Sequence, residues 1–336
     1  NTFLESLKKD KLHHAWLIHG PKGVGKATLA WKIVKLLQND YQNFDELEDN
    51  NTITTISRRI EALSEQSVLL CRRKFDETKK KFLQEISVDE IRKINHFFSL
   101  SSTELKYRIV IIDTINELSI SGSNALLKIL EEPPKNGIFI LICDNKHSIL
   151  PTIISRCRIL ECNSLLFQDF QKALLSSCNK KMEIEKLEKL YFISRGSIDK
   201  AIELEFHNGL EIFENLIEIL LFFNGNDKEK IWKLISQKHS FDTTKEYHKF
   251  LIILLLSAIT HIGNSLATNK NSPLISKSKL VKNDPEKKDE ENYFPYSLIY
   301  SIILEDLNNA LKVNLNLADT LLSSFIKIEK INNSFK

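Results

Sequence analysis

No apolar run in this sequence is long enough to cross a bilayer. The longest, Phe250 to Leu256, counts seven residues against the roughly 20 that a membrane helix needs, so a membrane span is excluded. Cysteine is sparse: Cys71, Cys143, Cys157, Cys162 and Cys178 form an odd set with no C-x-x-C spacing. That fits neither a disulfide framework nor a zinc ribbon, and reduced thiols are expected. Excess charge is missing as well. Forty-seven Lys and Arg against forty-four Asp and Glu leave a net charge of +3, too balanced for a protein whose whole surface grips nucleic acid, so any such contact must be local. The chain opens on Asn1 without a basic-then-apolar leader, which predicts a cytoplasmic protein lacking a few starting residues.

Glycine is scarce, nine in 336 residues, about 3% where roughly 7% is usual. Three of the nine, Gly20, Gly23 and Gly25, fall within six residues, and that clustering requires a cause. Proline is absent between Pro151 and Pro273, a stretch where Leu, Ile, Lys and Glu recur at helical spacing. The first half alternates strands and helices: Trp16 to His19 reads as a strand, Ala27 to Leu37 as a helix, Asp40 to Ser57 as a polar loop. Val68 to Arg72 and Phe82 to Ile86 read as two strands around a basic tip. Ser87-Val88-Asp89-Glu90 has the form of a capping box opening a helix to about Phe98. Ile109 to Ile112 and Ile138 to Ile142 are unbroken apolar runs, as in parallel strands buried on both faces. The fold class expected is therefore α/β, a doubly wound parallel sheet, followed by a nearly all-helical second half. The domains expected are 1–163, a small helical unit over 164–206, and a larger helical one over 207–336 interrupted by a polar excursion at about 264–296.

Gly20-Pro21-Lys22-Gly23-Val24-Gly25-Lys26 stands between the predicted strand and helix, the context of a phosphate-binding loop. Glycines let backbone N–H groups face a β-phosphate while Lys26 reaches the outer phosphates. The Ser or Thr whose hydroxyl would hold Mg²⁺ is replaced by Ala27, and Thr28 follows, about 100° further round the helix. Asp113, at the end of an aliphatic strand, is the expected second Mg²⁺ anchor. It is followed by Thr114, which has no carboxylate to act as a general base; the nearest acid is Glu117. The nucleotide-binding set is thus Gly20, Gly23, Gly25, Lys26, Thr28 and Asp113.

Four blocks carry a family resemblance: His13-His14-Ala15-Trp16; Ile86 to Arg92; Asn124 to Pro134, ending Glu131-Glu132-Pro133-Pro134; and Leu150 to Cys157, ending Ser155-Arg156-Cys157. Over roughly residues 1 to 205 the sequence resembles the AAA+ clamp-loader family of bacterial DNA polymerase III, and within it the delta-prime type. The resemblance implies an AAA+ P-loop domain, a helical lid domain and a helical collar domain in a pentamer that opens a sliding clamp around primed DNA. The partners implied are gamma/tau and delta subunits and, through the complex, the clamp and primer-template DNA. It also implies that Arg156 is an arginine finger reaching a neighbour's ATP site, a role suited to a rigid, permanently charged fork of donors. The lid Arg of the family's Gly-Ser-x-Arg pattern is replaced here, where Gly196-Ser197-Ile198-Asp199 ends in an acid. Losing metal ligand, base and lid cation together argues against turnover, so no catalysis in cis and no required cofactor are expected; whether ATP or ADP binds is a separate question, and any that binds is expected to be held without hydrolysis. The alternative is a working gamma-type ATPase.

Many members of the family insert a four-cysteine zinc module; only Cys71 lies in that interval, so no metal site is expected, and Cys157 and Cys162 read as core residues. Arg72-Arg73-Lys74 and Lys79-Lys80-Lys81 place six cations at the predicted tip beside Phe75 and Phe82, interrupted by Asp76 and Glu77. They read either as a phosphate contact or as a charged solvated tip. By family analogy, helix N-termini are the better DNA contact. His13 and His14 are expected to point in opposite directions and to be structural.

Overall fold

The computed structural model describes residues 2–41, 43–47, 54–78, 80–99, 107–222, 228–237, 241, 243–268, 294–313 and 315–334. The chain divides into two compact units, Asn1–Leu165 and Leu166–Lys336.

The first unit runs α1 (Thr2–Lys8), β1 (Ala15–His19), α2 (Lys26–Gln38), α3 (Thr55–Glu61), β2 (Val68–Arg72), β3 (Phe75–Asp76), β4 (Lys81–Phe82), α4 (Val88–Ser99), β5 (Arg108–Asp113), α5 (Ile120–Glu131), β6 (Gly137–Cys143), α6 (Pro151–Ile154) and β7 (Arg158–Glu161). Five strands form one sheet in the order β2-β5-β6-β1-β7, every pairing parallel. Parallel strands need crossovers, and the helices supplying them cover both faces. Alternate residues therefore serve two cores: Leu17, Val110, Ile112, Phe139 and Leu141 pack with Ile91, Ile94, Leu126 and Ile153, while Trp16, Ile18, Ile111, Ile140 and Ile142 pack with Phe3, Ile33, Val34 and Ile60. Burial of both faces is why β5 and β6 read as continuous apolar runs; each fully buried aliphatic or aromatic side chain contributes about 1.5–3 kcal/mol.

Three local expectations are corrected. Val68–Arg72 does not pair with residues 82–86: it is an edge strand of the parallel sheet, in register with β5 from Val68↔Ile109 to Arg72↔Asp113. The hairpin is smaller, pairing Phe75 with Phe82 and Asp76 with Lys81, while Ile86 makes an isolated bridge to Leu118. The loop expected over Asp40 to Ser57 ends sooner, because the Thr54 side chain accepts from the Ser57 amide and starts α3; residues 42 and 48–53 lie outside the described residues. The Glu90 half of the expected capping box is engaged elsewhere. Helix α4 starts where expected, but the Glu90 carboxylate binds Lys74 and Lys93, at 2.5 and 2.8 Å, rather than reaching back to Ser87.

The elements of the second unit, among its described residues, are all helices: α7 (Phe167–Cys178), α8 (Ile184–Ser194), α9 (Ile198–Phe206), α10 (Gly209–Phe222), α11 (Lys228–Ser236), α12 (Thr244–Thr268), α13 (Phe294–Val313) and α14 (Leu317–Ser334). The helix α12 continues through Asn264 to Thr268, and α13 begins at Phe294, so both ends of the expected excursion are helical; residues 269–293 lie outside the described residues. No described helix is long and apolar enough to cross a membrane.

Candidate functional site

The glycine loop lies at the carboxyl end of β1, where ligands of open α/β sheets bind. Gly23 and Gly25 have φ of 81° and 90°, a left-handed conformation that side chains resist. Gly20 is required for another reason: a Cβ there would come within 2.0 Å of the Cys162 carbonyl oxygen. The loop delivers the chain into α2, whose first N–H groups have no partner within the helix and face outward to an anion. Glycines and helix start thus fit a phosphate.

Lys26 does not extend into solvent. It is 4% exposed, and its ammonium donates to the Gly20 carbonyl at 2.8 Å and the Pro21 carbonyl at 2.6 Å, with Asp144 Oδ1 at 2.7 Å. The side chain's three donors are thereby all engaged. Ala27 packs against the core, and Thr28 is exposed in the first turn.

Asp113 ends β5 half-buried. Burial pushes its carboxyl pKa up, and the charge of Asp144 adds to the rise; Arg72, opposite it in the sheet register, and Lys26 oppose it. Thr114 follows directly, and Glu117 is engaged elsewhere, with Oε2 2.7 Å from Arg73 Nε. Burial also pushes the Glu117 carboxyl up, against the pull of Arg73.

Asp144 and Asn116 were not singled out in the sequence. Asp144 follows the last residue of β6, the strand between β5 and β1, which brings it to the loop. The Asn116 side chain fixes it: Oδ1 accepts from the Asp144 amide at 2.8 Å, and Nδ2 donates to the Asn145 carbonyl and Ser148 Oγ, both at 2.6 Å. The one available signal was position, since the residue after a buried parallel strand lies at the edge that binds ligands.

Arg156 lies beyond α6 with about a third of its side chain exposed. Its guanidinium donates to the Thr152 carbonyl and to Glu131 Oε1, each at 2.8 Å. Asp199 is exposed in the first turn of α9, where a carboxylate favours the helix dipole. Ser197 caps the same helix by accepting from the Lys200 amide. Between α4 and α5 a groove of about 600 Å³ is lined by Arg92, Asn95, Ser121, Asn124 and Lys128.

Among the described residues no cluster of His, Cys, Asp or Glu could hold a metal. Burial pushes the Cys71 and Cys157 thiols up to about 12. His13 and His14 do not diverge as expected: they precede β1 at a bend, and their rings stack at 4.3 Å. His13 Nδ1 accepts from the Ala15 amide at 3.1 Å, a structural role. Of the six tip cations, Arg73 pairs with Glu117 and Lys74 with Glu90, and Lys79 lies outside the described residues.

Residues 1–165 match the family model described as DNA polymerase III, delta subunit. The chain is 29% identical to DNA polymerase III subunit gamma of Buchnera aphidicola subsp. Schizaphis graminum over 320 residues, 88% of this chain and 83% of that protein. It is 29% identical to subunit tau of Bacillus subtilis over 234 residues, 67% of this chain and 36% of that protein. Against subunit delta' of Bacillus subtilis the identity is 29% over 158 residues, 46% of this chain and 44% of that protein.

Proposed function

We propose that this chain, which is similar to the gamma, tau and delta' subunits of DNA polymerase III, is a clamp-loader subunit of the delta-prime type. In this reading it holds a phosphate loop without hydrolysing nucleotide and lends Arg156 to the ATP site of a neighbouring gamma/tau subunit. The observation that carries the reading is the state of Lys26, buried and saturated by two loop carbonyls and Asp144. A triphosphate must displace these contacts and approach two carboxylates, Asp113 and Asp144, with no hydroxyl at Ala27 to hold the Mg²⁺ that would neutralise them. Hydrolysis lacks a base: Thr114 has no carboxylate, and Glu117 is paired with Arg73. Asp199 puts an acid at the start of α9 where the family's pattern has a cation.

Arg156 keeps about a third of its side chain exposed, and reaching a neighbour requires it to release single bonds to Glu131 Oε1 and the Thr152 carbonyl. Gamma/tau and delta would be its direct partners in the cytoplasm, with the clamp and primer-template DNA reached through the assembly. The groove between α4 and α5, with Arg92 and Lys128, suits a phosphate backbone. Co-elution of the purified chain with gamma/tau and delta tests the assembly. Arg156→Ala in the assembled loader should lower DNA-stimulated ATP hydrolysis about a hundredfold or more while the complex still forms; unchanged hydrolysis removes the trans role.

A second reading has an observation in its favour. The gamma relative aligns over 88% of this chain and the delta' relative over 46%, so a gamma-type ATPase stays the alternative. Ordinary turnover by the chain alone would select it.

A further inference from the structure

Among the described residues of the first unit, the exposed phenylalanine, tyrosine and tryptophan rings are those of the β3–β4 hairpin, Phe75 and Phe82. Phe75 and Phe82 face each other across the two strands with ring centroids 5.2 Å apart. Each is more than half exposed, 52% and 55%, with Leu83 beside them at 39%. Large apolar groups of the same unit, Trp16 and Phe139 among them, are fully buried.

The ribbon is tied down at its base. Arg73 bonds Glu117 and Lys74 bonds Glu90; the Leu83 amide donates to the Lys74 carbonyl at 2.8 Å. At the turn, Asp76 accepts from the Thr78 amide at 3.0 Å. Two of the basic residues are therefore spent on positioning. Lys80 and Lys81 are exposed and make no ion pair among the described residues. Residues 72–82 carry six cations against Asp76 and Glu77, so the hairpin is locally basic on a chain that is nearly neutral.

We propose that the β3–β4 hairpin is a docking site for single-stranded nucleic acid, with Phe82 and Phe75 as stacking faces and Lys80 and Lys81 as phosphate contacts. Exposed aromatic rings flanked by lysines match the two things a single strand offers, base faces and a charged backbone. A duplex hides its base faces, and an apolar peptide gains nothing from the lysines. The Arg73 guanidinium, 6.0 Å from the centre of the Phe82 ring, lies close enough to meet a base stacked there. The competing role for the phenylalanines is to hold the ribbon together as a cross-strand pair, and leucine preserves much of that while removing the aromatic face.

The test is fluorescence anisotropy of a labelled 20-nucleotide oligothymidine, and of a duplex of equal length, titrated with the full chain at 50 mM salt. Tighter binding of the single strand than of the duplex is expected. Lys80→Ala with Lys81→Ala should weaken binding at least tenfold and make the salt dependence shallower by about 1.4 in log–log slope, two phosphates at roughly 0.7 each. Phe75→Leu with Phe82→Leu should weaken it about tenfold with the salt slope and thermal midpoint unchanged, and tyrosine at both positions should restore it. No binding by the wild-type chain, a preference for the duplex, or full affinity in the leucine variant would overturn the proposal. The assay needs no partner subunit, so its failure leaves the delta-prime reading to be judged by co-elution.

Discussion

Asp144 holds its carboxylate 2.7 Å from the Lys26 ammonium and raises the pKa of Asp113, so it opposes an incoming phosphate twice: it occupies the cation and adds like charge. Asp144→Asn should therefore raise ATP and ADP affinity about tenfold, read by titration with a fluorescent nucleotide, without restoring hydrolysis. Unchanged affinity would mean that the ion pair does not limit binding. The glycines, Lys26 and Asp113 were legible because they sit in a contiguous motif or end an aliphatic strand. Asp144 and Asn116 were not, because the loops carrying them, 28 residues apart for the Asp144–Asn116 bond, meet only once β6 lies between β5 and β1. Arg156 was legible as a motif, whereas its partner Glu131 was not, since nothing in the Glu131-Glu132 pair marks which carboxylate turns toward the arginine.

At the scale of the elements, α12 carries a testable pH dependence. His261 is buried against Phe192 and Phe213; burial, with the charge of Arg195 behind it, pulls its pKa down to about 4. An unfolded chain takes up that proton near pH 6.5, so between about 4 and 6.5 the unfolded state binds more protons and stability rises with pH. The rise amounts to about 3 kcal/mol across the window and is flat above it. Thermal unfolding from pH 4 to 7.5 should show it, and His261→Leu should flatten that part of the profile; an unchanged slope would assign it elsewhere. Elements were legible where one physical pattern dominated. The strands β5 and β6 announced themselves by burial on both faces. The strand β2 could be seen but its partner could not, because an apolar run does not state what it pairs with, and β5 lies some forty residues on. The excursion expected from Asn264 begins later, because α12 continues to Thr268: packing of the apolar stretch before it outweighs the weak local preference of the polar residues.

For the molecule as a whole, the near-neutral charge leaves nucleic-acid contact to local features, and the two proposed are the α4–α5 groove and the hairpin. The central claim concerns neither. It is that the phosphate loop survives while the groups that hydrolyse nucleotide have been lost. Phosphate release from Mg-ATP by the isolated full chain tests this most directly. The expected rate is indistinguishable from the protein-free control, and release near about one per second, an ordinary enzyme rate, would contradict it.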